Sequence, residues 1–135
     1  MKPQTMRRIY CREAAAMLLL ARLAVRLVPS ARLFAWAARP PRRVRRFSGD
    51  EAAWIAWAIE KVGSHPRIGA LCLPRAVAAH AMLRRRGIVS RLCLGVAPHA
   101  NGVTAHAWIE VGGKRIVGGG EATGFTPLAA FGGAN

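Results

Sequence analysis

The sequence predicts an α+β fold in which a central helix packs on a small antiparallel sheet. The first observation is a helical pattern over Cys72–Gly87, which ends in a run of arginines and a glycine. The second is a change to alternating apolar residues over Ile88–Val96 and Val103–Val111, which is typical of strands. The third is Gly112-Gly113, a two-residue hairpin signal that returns the chain as a strand over Lys114–Val117. Helices followed by antiparallel strands define this fold class.

The N-terminal part of the chain predicts two helices. The first runs from about Arg12 to Val28, after frayed residues 1–10, and ends at Pro29. The second runs over Ala31–Ala38, with Ser30 as its N-cap and a Pro-Pro pair after it. The first helix is too short and too charged to span a bilayer, and no small-residue cleavage site marks a signal peptide. It is predicted either to pack on the core or to contact lipid or a partner protein as a basic amphipathic helix.

The charge of the chain is strongly positive and unevenly distributed. Lys and Arg number 21 against 6 Asp and Glu, and 12 of the basic residues lie in residues 1–50. Such a surface attracts nucleic acid, anionic lipid or an acidic peptide. The basic linker over residues 39–46 has no interleaved aromatic side chains on which bases would stack, so nucleic acid is the disfavoured partner. We predict a basic helical segment with its linker over residues 1–46 and a folded core over residues 47–135.

The three cysteines, Cys11, Cys72 and Cys93, are odd in number and widely spaced. No CxxC pair is present, which disfavours a zinc site or a redox pair, and the count disfavours a disulfide framework. A reducing compartment, the cytoplasm, is therefore expected. Cys93 alternates with leucines on a predicted strand and is interpreted as structural.

The helix before the central one has a predicted capping box. Ser48 is the N-cap and Glu51 follows three residues later, and the helix continues to about Val62. Its apolar face contains Trp54, Ile55, Ala58 and Ile59, which recur at helical spacing. We therefore expect this face of the helix to be buried.

Cys72 begins the central helix, and this position carries a chemical implication. Pro74 suits the first turn, and Arg84, Arg85 and Arg86 suit the last, because cations are favoured at the negative end of the helix dipole. The unpaired N–H groups and the positive dipole end at the helix start stabilise a thiolate, the nucleophilic form of cysteine. The alternative is that Cys72 is a small buried hydrophobic residue, as most free cysteines are.

His106 is the best partner for that thiol. On a strand it shares one face with Trp108 and Glu110, and alanines on both sides leave room around the ring. A Cys–His pair is the arrangement needed for covalent acyl transfer. The alternative is a histidine satisfied within the core. His80 lies two turns along the helix from Cys72, and His99 lies in a loop, so both are weaker partners.

Five motifs occur in order between Cys72 and Phe131: Cys-Leu-Pro-Arg-Ala, Leu-Arg-Arg-Arg-Gly-Ile, Leu-Gly-Val, Ala-His-Ala-Trp-Ile-Glu-Val-Gly-Gly and Phe-Thr-Pro-Leu. In these motifs the chain resembles the leader peptidases of lasso-peptide biosynthesis, in particular the free-standing peptidase half of the split B protein. The resemblance implies a transglutaminase-like, papain-related cysteine protease fold and cleavage of a ribosomal precursor between leader and core. It implies that Cys72 is the nucleophile and His106 the general base, without a cofactor or a metal. It also implies two partners, a small leader-recognition protein and an ATP-using lasso cyclase.

The resemblance also implies an acid beyond the histidine, and here the chain departs from the pattern. Pairing across Gly112-Gly113 sets Glu110 opposite Arg115, a structural ion pair, and Glu110 lies about 13 Å along the strand from His106. The residue opposite His106 would be Gly119. Glu121 is a diagonal neighbour and is predicted to orient the imidazole if the three glycines bend the chain. A backbone carbonyl, Asn101 or a water are the alternatives.

The same residues predict an oxyanion donor and leave three candidate functions. The N–H of Cys72 is the expected oxyanion donor. The leading function is therefore a cysteine peptidase that acts on a precursor peptide. A basic module that binds nucleic acid or a membrane surface through residues 1–46 is the alternative, and it needs neither Cys72 nor His106. A transglutaminase-like fold with vestigial catalytic residues is the third.

Overall fold

The computed structural model describes residues 2–45, 49–118 and 124–133, and within them a group of helices precedes an antiparallel sheet. The helices are α1 (Pro3–Leu27), α2 (Ser30–Ala38), α3 (Gly49–Gly63) and α4 (Cys72–Arg85). The strands are β1 (Arg91–His99), β2 (Gly102–Val111), β3 (Lys114–Val117) and β4 (Thr126–Gly132). The predicted α+β class is confirmed.

The sheet has the strand order β3-β2-β1-β4. The predicted three strands are present, and β4 is a fourth that the sequence pattern did not reveal; it pairs with β1 at the far edge. Two irregularities shape the sheet. The pairing shifts between Leu94 and Gly95 in β1, which leaves Leu128 of the edge strand β4 without a partner residue, and it shifts again between Ile109 and Glu110 in β2.

The core lies between the helices and one face of the sheet. The inner side of α4 faces this core, and Ala76, Ala79 and Leu83 are fully buried there. The predicted apolar face of α3 is also buried at Ile55, Ala58 and Ile59. The predicted capping residue Ser48 lies outside the described residues.

The first helix is longer than predicted. It begins at Pro3, not near Arg12, and residues 3–10 are helical although they were expected to fray. The physical reason is packing: Tyr10 is buried and stacks on Trp54 of α3, with ring centroids 6.1 Å apart. Ser30 also differs from its prediction, because it is the first helical residue and Pro29 is the N-cap. None of the helices in the described part of the chain has the length and hydropathy needed to cross a bilayer.

Candidate active site

Cys72 is the first residue of α4, with Leu71 as the N-cap. The first helical hydrogen bond runs from the N–H of Arg75 to the carbonyl of Leu71 at 3.1 Å. The N–H groups of Cys72 and Leu73 therefore have no acceptor within the helix, and Pro74 has no N–H. The Cys72 side chain is half-buried. The thiol thus lies at the positive end of the α4 dipole, as the sequence predicted.

Cys72 and His106 line the same cavity. It has a volume of about 510 Å³. Its wall is formed by the segment that leads into α4, by two residues of the first turn of α4, by the middle of β2, by the end of β3 with the residue after it, and by one residue of α3. These residues are Ala70, Leu71, Cys72, Arg75, His106, Ala107, Ile116, Val117, Gly118 and Glu60. The structure therefore brings together the thiol and the imidazole that the sequence singled out, although 34 residues separate them along the chain.

The imidazole of His106 is held by a main-chain carbonyl. Its Nε2 lies 3.1 Å from the carbonyl oxygen of Gly118, just after the last residue of β3. Because a carbonyl only accepts, Nε2 is the donor and carries the proton. In the neutral ring the lone pair is then on Nδ1, the nitrogen to which a proton can be transferred. A backbone carbonyl was one of the alternatives left open for the group that orients His106.

Two aromatic rings lie beside the His106 ring and limit its orientation. Trp108 lies 6.1 Å away and stacks on it, and Phe125 lies 5.1 Å away and is tilted by 42°. The Trp108 indole itself covers Gly95, where an added Cβ would come within 2.7 Å of the ring. The glycine of the Leu-Gly-Val motif therefore makes room for Trp108, which in turn supports His106.

The predicted structural role of Glu110 is confirmed. It pairs with Arg115 across the hairpin, with Arg115 Nε 4.0 Å from its Oε2, and the same oxygen accepts a 2.9 Å hydrogen bond from the Trp108 indole. Beyond this pair the ladder shifts by one residue, so the simple count that set Gly119 opposite His106 does not extend past Glu110. Gly119 and Glu121 lie outside the described residues, and the role of Glu121 stays a prediction.

Sequence reasoning missed Glu60 of α3. Its Oε2 accepts a 2.9 Å hydrogen bond from Nη1 of Arg75, and its Oε1 lies 3.4 Å from the N–H of Gly118. Arg75 also donates from Nε to the carbonyl of Ala70 at 2.8 Å. The acid that the resemblance implies follows His106 along the chain, whereas this carboxylate comes from the helix before Cys72.

The other titratable candidates serve the fold. His80 is buried; its Nε2 donates to the carbonyl of Ala37 at 2.9 Å, and its Nδ1 lies 2.7 Å from the hydroxyl of Ser90. Burial lowers the pKa of His80 to about 4. Cys93 is buried beneath Trp108, and burial raises the pKa of its thiol to about 12. The structural interpretation of Cys93 is confirmed by its burial.

Within residues 2–45, 49–118 and 124–133, no three His, Cys, Asp or Glu side chains lie close enough together to hold a metal ion. The cavity itself has three features with chemical potential. It contains a half-buried thiol at a helix start, an imidazole with its proton on Nε2, and an ion pair between Glu60 and Arg75.

Comparison with known proteins agrees with this architecture. The sequence profile of the transglutaminase-like superfamily matches residues 15–130. The chain therefore belongs to the transglutaminase-like superfamily, which includes cysteine peptidases. We found no curated protein and no solved structure with significant similarity to the chain.

Proposed function

We propose that this protein is a cysteine peptidase in which Cys72 is the nucleophile and His106 the general base. The observation that carries the proposal is that both side chains line one cavity, with His106 held through Nε2 by the Gly118 carbonyl. Membership of a superfamily that includes cysteine peptidases supports it. In such a pair the imidazole accepts the thiol proton and later delivers it to the leaving amine.

The reaction proceeds in two steps. The Cys72 sulfur attacks the carbonyl carbon of the substrate amide while its proton passes to Nδ1 of His106. The tetrahedral intermediate collapses, the C–N bond breaks, and His106 returns the proton to the departing amine. A thioester between Cys72 and the acyl part remains. Water, deprotonated by His106, attacks the thioester and releases the carboxylic acid and the free thiol.

The N–H of Cys72 is the oxyanion donor in this proposal. It belongs to the first helical residue of α4 and has no acceptor within the helix. A negative oxygen next to the attacked carbon lies close to this N–H and at the positive end of the helix dipole.

The substrate class we propose is a ribosomal lasso precursor peptide, cut between leader and core in the cytoplasm. The support is the ordered set of motifs between Cys72 and Phe131, which resembles that of lasso leader peptidases. The same resemblance supports a separate leader-recognition protein that presents the peptide and a lasso cyclase that takes the freed core. The surplus of basic residues in the N-terminal half suits an acidic leader or partner, and added salt should then weaken the complex.

The test is cleavage of a lasso precursor peptide with the leader-recognition protein added, followed by mass spectrometry. Wild type, Cys72→Ala and His106→Ala are compared with two matched controls. Cys11→Ala removes a half-buried thiol of α1, and His99→Ala removes an exposed histidine at the end of β1. We expect cutting by wild type and both controls, and none above background by the two site variants.

Two results would contradict the proposal. Equal cutting by all five proteins would exclude the Cys–His mechanism. No cutting by a folded wild type with its partner present would favour a transglutaminase-like fold without catalysis, or the binding module considered next.

A second candidate function is attachment to an anionic membrane surface through α1. The observation that favours it is a row of exposed leucines on the outer face of the helix: Leu19, Leu23 and Leu27 recur every four residues and are 53%, 53% and 76% exposed. Arg22 and Arg26 lie beside this row. An apolar stripe bordered by arginines is typical of helices that lie in the headgroup region of a bilayer.

Sedimentation with lipid vesicles tests this candidate. We expect binding to phosphatidylglycerol vesicles and not to phosphatidylcholine vesicles, because the arginines require anionic headgroups. Leu23→Glu and Leu27→Glu should abolish binding. The matched control is Val103→Glu, which changes a 73% exposed residue of β2. Cys72→Ala should bind as wild type does; equal binding by the leucine variants would exclude α1 as the attachment site.

A further inference from the structure

Glu60 connects the two walls of the candidate active site. One of its carboxylate oxygens accepts a hydrogen bond from Arg75, and the other lies 3.4 Å from the N–H of Gly118. Through Nε, Arg75 holds the carbonyl of Ala70, two residues before Cys72. A single carboxylate therefore contacts the support of the nucleophile on one side and the support of the imidazole on the other.

The contact with Gly118 continues to His106. The N–H of Gly118 meets Glu60, and its carbonyl accepts the hydrogen bond from Nε2 of His106 at 3.1 Å. Gly118 follows the last residue of β3 and has a φ of +73°, so it has left the strand conformation. As a glycine, Gly118 has no side chain whose contacts could hold its main chain in place. The Glu60 carboxylate supplies an anchor for it.

The contact with Arg75 is equally specific. The guanidinium crosses α3 at Gly63, where an added Cβ would lie 2.9 Å from its Nε. This close approach lets Arg75 reach Glu60 and Ala70 at once. Of the described residues that line the cavity, Glu60 is the only one with a carboxylate. The Arg75 side chain is 21% exposed and that of Glu60 is 43% exposed.

We propose that Glu60 is a positioning residue that fixes His106 through Gly118 and fixes the start of α4 through Arg75. The inference rests on the proposed function, because it gives Glu60 a task in assembling the Cys72–His106 pair. Glu60 takes no part in proton transfer and makes no bond to the reacting atoms. It acts by limiting where the thiol and the imidazole can lie, and small displacements of reacting groups cost large factors in rate.

A purely structural ion pair is the competing explanation, and it predicts a different result. A partly exposed pair between neighbouring helices contributes little to stability. Its loss would leave both the chemistry of Cys72 and the environment of the His106 ring unchanged. The positioning role predicts that both change while the fold persists.

The experiment compares Glu60→Ala and Glu60→Gln with wild type. Glutamine keeps an oxygen that can accept from Gly118 but loses the charge that pairs with Arg75. The matched control is Glu51→Gln, which removes a carboxylate of the same helix that pairs with Arg45 away from the cavity. Circular dichroism and thermal unfolding verify that each variant is folded, and if Glu60→Ala does not fold, the comparison rests on Glu60→Gln.

Two of the readouts need no peptide substrate. The first is the rate at which iodoacetamide alkylates Cys72, measured from pH 5 to pH 9. A displaced imidazole no longer takes the thiol proton, so we expect alkylation below neutral pH to slow about tenfold in Glu60→Ala. The second is the pair of ring ¹⁵N chemical shifts of His106. These report which nitrogen carries the proton, and we expect them to change when the hydrogen bond from Nε2 to Gly118 is disturbed.

The third readout is peptide cleavage. We expect kcat to fall about 100-fold in Glu60→Ala with KM unchanged, and to fall less in Glu60→Gln. If wild type cuts no peptide, the proposed function fails, but alkylation and the ¹⁵N shifts still test the role of Glu60. Wild-type alkylation and wild-type ¹⁵N shifts in both folded Glu60 variants would overturn the inference, as would equal changes in Glu51→Gln.

Discussion

Gly118 has no side chain, and the space beside it is filled by its neighbours. A Cβ added there would lie 3.0 Å from the carbonyl oxygen of Ala107 and 3.2 Å from Nε2 of His106. Its φ of +73° is also a conformation that residues with a side chain rarely adopt. Residue 118 therefore has to be glycine for two reasons, and only one of them concerns the candidate site.

Gly118→Ala should separate these two reasons. The methyl group displaces the His106 ring, so we expect peptide cleavage to slow about 100-fold. The positive φ alone should cost about 1–2 kcal/mol of the unfolding free energy. The control is Gly112→Ala in the β2–β3 turn, where φ is +59° and no atom lies within 4 Å of an added Cβ. Equal cleavage rates in the two variants would show that the contact with His106 is unimportant.

The cysteines should differ sharply in reactivity. At pH 8 only about one Cys93 side chain in ten thousand is ionised if its pKa is about 12. Cys72 lies half-buried at the cavity. We expect iodoacetamide to modify Cys72 and not Cys93 in the folded protein, as peptide mapping by mass spectrometry would show. Unfolding in urea should make both reactive; labelling of Cys93 in the native protein would contradict its burial.

Helix α1 is attached to the end of α4 by charge as well as by apolar packing. Glu13 accepts hydrogen bonds from Arg86 at 2.5 and 2.8 Å, and from Arg85 at 3.1 Å. The hydrogen bonds from Arg86 lower the pKa of Glu13, and Arg86 also lies 4.9 Å from the centre of the Tyr10 ring. The arginines that suit the last turn of α4 therefore also hold the first helix.

Glu13→Gln should weaken this attachment. We expect a loss of about 2 kcal/mol in the free energy of unfolding at pH 7, between the values for exposed and fully buried pairs. Because the pKa of Glu13 is lowered in the fold, its contribution is present above pH 4.5 and is lost as pH falls through the folded value. Urea unfolding of wild type and Glu13→Gln at pH 7 and at pH 3 measures the loss of unfolding free energy and its pH dependence. A difference between variant and wild type that does not shrink at pH 3 would argue against the ion pair.

The elements that could be predicted closely have explicit end signals. Gly112-Gly113 marks the turn directly before β3. Gly87, with a φ of +71°, ends α4 as expected. Strand β4 has no such signal: Thr-Pro-Leu-Ala-Ala-Phe-Gly contains few strand-forming residues and depends on pairing with β1, more than 30 positions earlier. The start of α1 was missed because contacts of Tyr10 with other helices, not local propensity, stabilise its first turns.

Only part of the candidate site could be predicted from the sequence. A cysteine at a helix start and a histidine between alanines have local signatures, so both were found. The carbonyl of Gly118, which holds His106, has no local signature, because every residue has a main-chain carbonyl. Glu60 was overlooked because its position beside Gly118 follows from the packing of α3 on the β3 end of the sheet, which no local pattern encodes.

At the scale of the whole molecule, His80 joins three parts of the fold. It belongs to α4, donates to Ala37 of α2 and contacts the hydroxyl of Ser90, which precedes β1. Only 3% of the residue is exposed. Burial, with a smaller contribution from the charge of nearby Arg84, lowers its pKa from 6.5 to about 4. The fold therefore requires the neutral ring.

This requirement makes stability depend on pH. Above pH 6.5 the ring is neutral in both the folded and the unfolded chain, so it adds no pH dependence. Between pH 6.5 and about 4 only the unfolded chain takes up the proton, so the unfolding free energy falls, by about 3 kcal/mol in total. His80→Gln should remove most of this slope in urea unfolding between pH 6.5 and 4.5, where Glu13 does not yet titrate. An unchanged slope in His80→Gln would show that other groups cause the pH dependence of the unfolding free energy.

The open edges of the sheet bear on how the protein behaves at high concentration. Strand β3 has four residues, and β4, at the opposite edge, contains Pro127 and the extra residue Leu128. Proline offers no N–H to an incoming strand, and a bulge interrupts the regular row of donors and acceptors. Neither edge is a continuous template on which another chain can extend the sheet. We therefore expect neither edge to favour the addition of strands from other copies, although Leu128 of β4 is 66% exposed.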